Sequence, residues 1–267
     1  MKKIKLIASD LDGCLLDGES KLPESFDEAF RLMRENNIIF AAASGRTVKG
    51  ARKPFKEYEN EMAFISDNGA RGYYGGNCFL NRSLDASEFI AAMDEIRRHE
   101  ELTPVVCGEN NEWIETAKRL TPEVLLELRK YFSSWKQGRL EEISEGIIKL
   151  AVLYLGDIEK DIYPLLKIYE NEKLIVQVTA RVWIDIYDKS ISKGTGIGAF
   201  QQLMGISKEE TVVFGDYLND ISMADYAAYS YAPENAHAEV KKRFSGTIKP
   251  NTEGGVPEKI IRMIREG

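Results

Sequence analysis

Residues 3–13 read KIKLIASDLDG, an apolar run of β-type residues that passes directly into two aspartates and a glycine. The run 3–9 predicts a buried strand, and Gly13 allows a sharp turn behind it. Asp10 and Asp12 are two positions apart, so on an extended backbone their side chains project the same way. Two such carboxylates repel each other unless a cation or a proton neutralises one of them. The pattern indicates either a paired-carboxylate site at a strand end or an ordinary surface turn.

The next fifty residues continue with buried strands that alternate with helices. Their apolar residues recur at helical spacing in some segments and fill both faces in others. Strand, helix, strand, helix, strand is typical of a parallel α/β sheet. The predicted elements are a helix at 23–36 ended by Asn36 and Asn37, a strand at 38–43, a helix at 48–59 that ends or kinks near Pro54, and a strand at 62–66.

From residue 84 to residue 187 the predicted strands alternate in polarity. In the strand at 182–187, one face is apolar and the other carries Trp183 and Asp185. Such alternation is typical of an antiparallel sheet with one open face and helices on the other. After a hairpin at 73–79, the predicted helices are 86–98, 122–132 and 158–170, and the predicted strands are 104–107, 113–116, 147–155, 174–179 and 182–187.

After residue 188 the α/β pattern returns. The fold class predicted is therefore α/β, with one parallel-sheet domain formed by 1–83 and 189–267 and an α+β domain inserted at 84–188. The elements predicted here are a helix at 193–204 closed by Gly205, a strand at 211–214, a helix starting at 219–224, a strand at 227–231 and a helix at 257–265.

Polar residues lie at three further predicted strand exits or helix starts of the same sheet. Ser44-Gly45-Arg46 offers a hydroxyl and backbone N–H groups, which suit an anion or a simple helix cap. Lys193-Gly194 places a compact positive charge at a helix start, where it binds phosphate or is solvated. Residues 215–220, GDYLND, add two carboxylates and an amide, oxygen ligands of the kind that Mg²⁺ prefers. Because carboxyl ends of parallel strands meet at one edge, we expect these residues to share a site with Asp10.

Composition excludes several other classes of protein. The 267 residues carry 36 basic and 43 acidic side chains, a net charge of −7, which argues against a general nucleic-acid binder. The longest apolar runs are too short for a membrane helix or a signal peptide core. Cys14, Cys78 and Cys107 form no CxxC motif, so we expect reduced thiols and a cytoplasmic protein. His99 and His237 are predicted to be peripheral, which leaves proton transfer to carboxylates.

Together these motifs resemble the haloacid dehalogenase superfamily, and within it the Cof-like phosphatases with a large α/β (type C2) cap. Residues 10–16 are similar to its DxDGTLL motif, with Cys14 in the place of threonine. Residues 43–46 resemble its SGR motif, and residues 215–220 its GDxxND motif. Lys193-Gly194 matches its third motif, and residues 66–70, SDNGA, look like its loop before the cap. The resemblance covers nearly the whole chain and implies a Rossmann-like core with an inserted cap.

The resemblance also implies roles for the core residues. Asp10 is the expected nucleophile, forming an aspartyl-phosphate, and Asp12 the general acid and base. Mg²⁺ is expected on Asp10, Asp216 and the backbone carbonyl of Asp12. The residues expected to bind phosphate are Ser44, Gly45, Lys193 and Asn219; those expected to support the site are Asp220, Asn68 and Arg46, the last of which either contacts substrate or braces its loop.

For the cap, the sequence leaves two possibilities. Trp113, Arg181, Trp183 and Asp185 either face the site and contact substrate or pack within the cap. The two connections, near 82–85 and 188–192, are expected to act as hinges. Among the departures from the family pattern, Cys14 is expected to pack in the interior and Tyr217 to narrow the entrance.

The function that the resemblance implies is Mg²⁺-dependent hydrolysis of a phosphate monoester of a small metabolite, first of all a sugar phosphate. Flavin mononucleotide, pyridoxal phosphate and nucleotides stay open as substrates. The alternatives are a phosphomutase or phosphotransferase, as in phosphomannomutase-like relatives, and a non-catalytic phosphate-binding module. We expect no nucleic-acid or membrane partner, and a monomer or homodimer.

Overall fold

A computed structural model describes residues 3–115 and 120–266. Their contacts divide the chain into two compact units. The first comprises the residues up to Asn81 and those from Ser192 onward; the second is Arg82–Ile191. The sequence places the inserted domain at 84–188. The strand predicted at 113–116 ends at Thr116, which lies outside the described residues.

Helices separate many of the strands along the chain. The strands are β1 (Leu6–Ser9), β2 (Ile39–Ala43), β3 (Ala63–Ser66), β4 (Arg71–Tyr74), β5 (Asn77–Asn81), β6 (Thr103–Gly108), β7 (Glu112–Ile114), β8 (Lys136–Gln137), β9 (Ile147–Leu153), β10 (Leu174–Ala180), β11 (Trp183–Asp188), β12 (Thr211–Phe214), β13 (Tyr229–Pro233) and β14 (Gly246–Ile248). The helices are α1 (Phe26–Glu35), α2 (Val48–Arg52), α3 (Ile90–Arg97), α4 (Pro122–Tyr131), α5 (Tyr163–Lys167), α6 (Lys193–Met204), α7 (Ala238–Arg243) and α8 (Gly255–Glu266).

The first unit is built on a sheet with the order β14-β13-β12-β1-β2-β3-β4-β5. The pairs from β14 to β3 are parallel, and β4 and β5 form an antiparallel hairpin at the edge. The central strand β1 is buried on both faces: Ile7 packs in one apolar cluster, and Leu6 and Ala8 pack in another. This two-sided burial explains the continuous apolar run and confirms the predicted α/β class.

Several helix ends follow from local sequence. Asn37 adopts the left-handed conformation, with φ of 56°, directly after α1, as predicted. The helix predicted at 48–59 is shorter, because α2 passes into a 3₁₀ turn at Lys53–Phe55 that contains Pro54. The helix predicted from Asn219 is a 3₁₀ helix at Leu218–Tyr226.

The second unit contains a sheet with the order β10-β11-β9-β6-β7-β8. Its pairs are antiparallel except for β7 with β8, which confirms the predicted strand direction. The predicted open face is wrong for the centre of this sheet, because every residue of β9 is buried. Trp183 is 5% exposed and packs edge-on against Tyr131 and Phe132, at the end of α4. The alternating polarity of the strand residues therefore distinguished the two faces of the sheet, but it did not show which face is exposed to solvent.

Three elements were missed by the sequence prediction. Strands β8 and β14 span only 2 and 3 residues, and α7 is a short polar helix, so none has a clear apolar period. Within the part of the chain that the structure describes, no helix is both long and apolar enough to span a lipid bilayer.

Gly69 is the backbone position where the fold leaves least room. Its φ is +100°, and a Cβ there would lie 2.0 Å from the backbone oxygen of Ser192. Gly75 also has positive φ, +54°, but a Cβ there would meet nothing within 4 Å. We predict that Gly69→Ala lowers the free energy of unfolding by about 3 kcal/mol or more, and Gly75→Ala by about 1 kcal/mol. Urea unfolding of both variants measures these losses of stability. Equal losses would contradict the prediction, because the contact with Ser192 would then add nothing to the backbone strain at Gly69.

Candidate active site

A buried ammonium group lies at the centre of the candidate site. Lys193 Nζ donates to Asp10 Oδ1 at 2.5 Å and to Asp220 Oδ1 at 2.6 Å. All three side chains are almost completely buried, with exposures of 1%, 7% and 0%. A buried charge is stable only when it is paired, so each of these groups depends on the others.

Three different elements deliver these groups. Asp10 follows β1, and its N–H donates to the Phe214 carbonyl of β12 at 2.9 Å. Lys193 opens α6, which Ser192 caps by accepting from the N–H of Thr195. Asp220 lies in the loop after β12, and its second carboxylate oxygen accepts hydrogen bonds from that same loop. The parallel strands thus bring residues 183 positions apart to one edge, as the sequence predicts.

The loop after β12 is folded around the Asp220 carboxylate. Oδ2 of Asp220 accepts from the backbone N–H groups of Asp216, at 2.8 Å, and Tyr217, at 2.9 Å. With Oδ1 on Lys193, both carboxylate oxygens are engaged. Asp220 therefore holds the loop that presents Asp216, in agreement with a supporting role.

The residues present fit a divalent cation. Carboxylate oxygens of Asp10, Asp216 and Asp220 all lie within 4.8 Å of one another. Asp216 is 9% exposed, and its Oδ1 is buried without a hydrogen-bond partner. Hard oxygen ligands with one unsatisfied carboxylate suit Mg²⁺, which takes one or two carboxylates and keeps several waters.

The pKa values of the buried groups also favour a cation at this position. Burial raises the pKa of Asp10 to about 7, against the attraction of Lys193 and reinforced by the negative charge of Asp220. Burial, followed by repulsion from Asp10 and Asp220, raises the pKa of Asp216 well above its usual range. Burial alone would lower the pKa of Lys193, but the two neighbouring carboxylates outweigh it and raise that pKa. Three carboxylates with one lysine hold more negative charge than this environment tolerates, and a bound divalent cation relieves that excess.

Asp12 lies in a different environment from Asp10. Its side chain is 34% exposed, whereas that of its partner Arg46 is 3% exposed. Arg46 donates to both carboxylate oxygens of Asp12, with Nε to Oδ2 at 2.7 Å, and also reaches the hydroxyl of Ser20 at 3.2 Å. A bidentate pair of this kind fixes the carboxylate plane. Of the two roles left open for Arg46, these contacts favour bracing.

Ser44 and Gly45 lie beside the left-handed turn at Asp67–Gly69. Ser44 is 1% exposed, its carbonyl accepts from the N–H of Asn68, and its hydroxyl accepts from the N–H of Arg46. A Cβ on Gly45 would lie 3.0 Å from Asn68 Oδ1. The same Asn68 oxygen accepts from the amide of Asn219 at 2.9 Å, so Asn68 connects the two loops.

Two glycines serve close packing at the site. Gly13 has φ of +80°, and a Cβ there would lie 2.4 Å from Asp216 Oδ2. Residues 10–16 are called the nucleophile loop, after the expected role of Asp10. Only glycine at position 13 allows this loop to approach the Asp216 carboxylate this closely. A Cβ on Gly194 would lie 2.3 Å from the backbone oxygen of Ser222. Gly194 therefore allows a close approach between α6 and the Leu218–Tyr226 helix.

The four candidate residues of the second unit are not equivalent. Trp183 is buried beside α4 and its indole donates to Glu127, so the second alternative, packing within the unit, applies to it. Asp185 is 2% exposed and is paired with Lys149 at 2.8 Å. Trp113 is partly buried and donates to Glu145 at 3.0 Å, whereas Arg181 is exposed in the turn between β10 and β11.

Cys14 and the two histidines, His99 and His237, have defined contacts in the structure. Burial, and then the negative charge of Asp216, raises the pKa of the Cys14 thiol well above its usual range, so packing explains this residue better than nucleophilic reactivity. His99 pairs with Glu95 in the second unit. His237 is less peripheral than expected, because its ring meets Tyr217 edge-on and its backbone N–H donates to the Asp216 carbonyl at 2.8 Å.

Sequence reasoning missed two asparagines that contact the nucleophile loop. Asn235 donates to the carbonyl of Gly13, and Asn251 donates to the carbonyl of Leu16, each at 2.7 Å. Asn235 lies in a turn and Asn251 begins a short 3₁₀ helix, and asparagine is an ordinary residue in such segments. A single sequence holds no signal that separates them from other turn residues.

Fold and site together define a carboxylate-based enzyme on a Rossmann-like sheet. A family model described as haloacid dehalogenase-like hydrolase matches residues 7–260. The chain therefore belongs to this family, and the sequence prediction of the family is confirmed.

Individual proteins agree with this assignment. The chain is 27% identical over 264 residues to the 5-amino-6-(5-phospho-D-ribitylamino)uracil phosphatase YbjI of Escherichia coli, covering 98% of this chain and 97% of that one. A crystal structure from Streptococcus mutans matches with a TM-score of 0.90 at 22% identity, covering 98% of this chain and 100% of the other. A haloacid dehalogenase-like hydrolase from Bacteroides thetaiotaomicron matches with a TM-score of 0.81 at 25% identity, covering 98% and 100%. The predicted enzyme class, a phosphoric monoester hydrolase, is confirmed at the level of this family.

The raised pKa of Asp10 predicts a pH effect on stability without metal. Because its folded pKa, about 7, exceeds the ordinary 3.8, the folded chain holds this proton more tightly than the unfolded chain. The stabilisation is complete below about pH 4 and is lost as the pH rises to about 7. We predict that in EDTA the free energy of unfolding falls by roughly 2 to 3 kcal/mol between pH 5 and 7.5, and falls less in Asp10→Asn. Urea unfolding at each pH, with exposed Asp225→Asn as control, measures this; parallel curves for Asp10→Asn and the wild type would contradict it.

Proposed function

We propose that the protein is a Mg²⁺-dependent phosphatase that hydrolyses phosphate monoesters of small metabolites through an aspartyl-phosphate on Asp10. One observation carries the proposal: the Asp10 carboxylate lies at the end of β1, in contact with Lys193 and within 4.8 Å of Asp216 and Asp220. A nucleophile, a fixed positive charge and a set of cation ligands thus meet at one point.

Asp10 is the group that attacks phosphorus. A bond forms between its carboxylate oxygen and phosphorus while the bond to the leaving oxygen breaks, and water then cleaves the acyl phosphate. Lys193 orients Asp10 and balances charge on the transferred group. Mg²⁺, when bound by Asp10, Asp216 and the Asp12 carbonyl, supplies further positive charge for the phosphoryl oxygens.

Asp12 is the proposed proton carrier. It protonates the leaving alcohol and then accepts a proton from the attacking water. Its partial exposure makes it accessible to a leaving group, and Arg46 fixes the plane of its carboxylate. Arg46 is therefore proposed as a positioning residue.

Phosphate binding is assigned to Lys193, Ser44, Gly45 and Asn219. The Ser44 hydroxyl accepts from a backbone N–H, so its proton is the part that it offers to a phosphoryl oxygen. Asn219 directs one amide hydrogen to Asn68 and keeps the second for the phosphate. With Asp10, Asp216 and Asp220 ionised, one divalent cation and Lys193 bring the net charge of this set to zero, which lets a phosphate dianion enter.

The substrate class proposed is a sugar or polyol phosphate. The support comes from the Escherichia coli relative, whose name specifies a phosphorylated ribityl chain.

A panel of phosphate esters tests the activity. We predict phosphate release from sugar or polyol phosphates with Mg²⁺, at least 100-fold less in EDTA, and recovery when Mg²⁺ is restored. The panel includes hexose and pentose phosphates, the ribitylaminouracil phosphate, flavin mononucleotide, pyridoxal phosphate and nucleotides. Turnover that is unaffected by EDTA, or isomerisation that needs a bisphosphate in place of phosphate release, would contradict the proposal.

Asp12→Asn separates the two chemical steps. The p-nitrophenolate group needs no proton to leave, so with p-nitrophenyl phosphate we predict a rapid burst of about one equivalent per enzyme. Turnover then slows by about 10²- to 10⁴-fold, because the attacking water lacks its base. An alkyl phosphate should give no burst. Asp225→Asn, which alters an exposed aspartate paired with Arg243, is the matched control. Full turnover of both substrates by Asp12→Asn would refute its assigned role.

A further inference from the structure

Two hydrogen bonds from one neighbouring segment hold the two loops of the candidate metal site. The side-chain amide of Asn235 donates to the Gly13 carbonyl at 2.7 Å. Two residues further along, the backbone N–H of His237 donates to the Asp216 carbonyl at 2.8 Å. The short segment 235–237, which follows β13, is therefore hydrogen-bonded to both the nucleophile loop and the loop of Asp216.

The orientation of the Asn235 amide is fixed by a second asparagine. Asn235 Oδ1 accepts from the backbone N–H of Asn251 at 3.1 Å, so its nitrogen must face Gly13. Asn251, in turn, donates its own amide to the Leu16 carbonyl at 2.7 Å and is 9% exposed. The nucleophile loop is thus held at two carbonyls by residues that are joined to each other.

Gly13 is the point where a small displacement matters most. It has φ of +80°, and its Cα lies so close to Asp216 that a Cβ would be 2.4 Å from Oδ2. The peptide unit on the other side of the Gly13 Cα contains the Asp12 carbonyl, the proposed backbone ligand. Glycine has no side chain to restrict its backbone, so an external contact must set the direction of these two peptide units.

We propose that Asn235, supported by Asn251, is a positioning residue that sets the spacing between the Asp12 carbonyl and Asp216 for a divalent cation. The inference rests on the metal site of the proposed function. A residue that only stabilised the fold would change the free energy of unfolding and leave cation affinity alone. Partners that orient metal ligands typically change metal affinity 10- to 100-fold when they are altered.

Asn235→Asp is the sharpest variant. It keeps the size of the side chain and the acceptor for the Asn251 N–H, but replaces the donor to Gly13 by an oxygen that repels the carbonyl. The added negative charge would by itself attract a cation, so weaker binding cannot come from simple electrostatics. Asn77→Asp is the matched control, because exposed Asn77 also donates its amide to a glycine carbonyl, that of Gly75, at 3.4 Å.

The experiment titrates Mn²⁺ into each full-length protein and follows free Mn²⁺ by its electron paramagnetic resonance signal. We expect at least tenfold weaker binding for Asn235→Asp and wild-type affinity for Asn77→Asp. Thermal unfolding in EDTA verifies that each variant is folded. Asn235→Ser, which removes the donor without repulsion, replaces Asn235→Asp if that variant is unfolded, with the same loss expected.

The outcomes separate this inference from the proposed function. If wild type binds Mn²⁺ and a folded Asn235 variant binds it equally well, the positioning role is wrong and the phosphatase proposal stands. If wild type itself binds no Mn²⁺, the metal site fails and the inference fails with it. A lowered unfolding temperature with unchanged affinity would assign Asn235 to fold stability alone.

Discussion

The buried Lys193 ammonium is the interaction on which the rest of the site depends. It has to be paired because it is 1% exposed, and Asp10 and Asp220 pair it from opposite loops. Asp220 then uses its remaining oxygen to fold the loop that presents Asp216. The lysine thereby fixes the positions of the Asp10 carboxylate and of the loop that carries Asp216 with one charge. Burying three carboxylates beside one ammonium leaves negative charge in excess, which a cation at the same place would neutralise.

The site also depends on the direction of the strands. Parallel neighbours of β1 bring the ends of β2, β3 and β12 to one edge, so the four loops that follow these strands meet there. The left-handed turn at Asp67–Gly69 ties these loops together: Asn68 contacts Ser44 through its backbone and Asn219 through its side chain. Strain in this turn is offset by the hydrogen bonds that it makes, which explains why conformationally unusual residues lie beside the chemistry.

The sequence was most informative where one local rule decided the outcome. Continuous apolar runs identified buried parallel strands, and polar residues at their ends identified Asp10 and Asp216, because topology alone brings strand ends together. Lys193 was identified as a charge at a predicted helix start. The sequence was less informative where a contact with a residue distant along the chain determined the structure. Alternation in β11 could not reveal that α4 covers Trp183, since periodicity reports faces and not what packs on them. Asn235 was invisible because its role comes from one contact, to Gly13, across more than 200 positions.

Asp10 and Asp12 are two residues apart, yet the fold gives them different environments. Asp10 is buried, paired with an ammonium and close to the carboxylates of Asp216 and Asp220, so its orientation is fixed. Asp12 is one-third exposed and paired with a planar guanidinium that fixes its plane while leaving it accessible. Environment divides roles between two identical side chains in many two-carboxylate sites. In a chain with only two histidines, the proposed mechanism takes both the nucleophile and the proton carrier from this single turn.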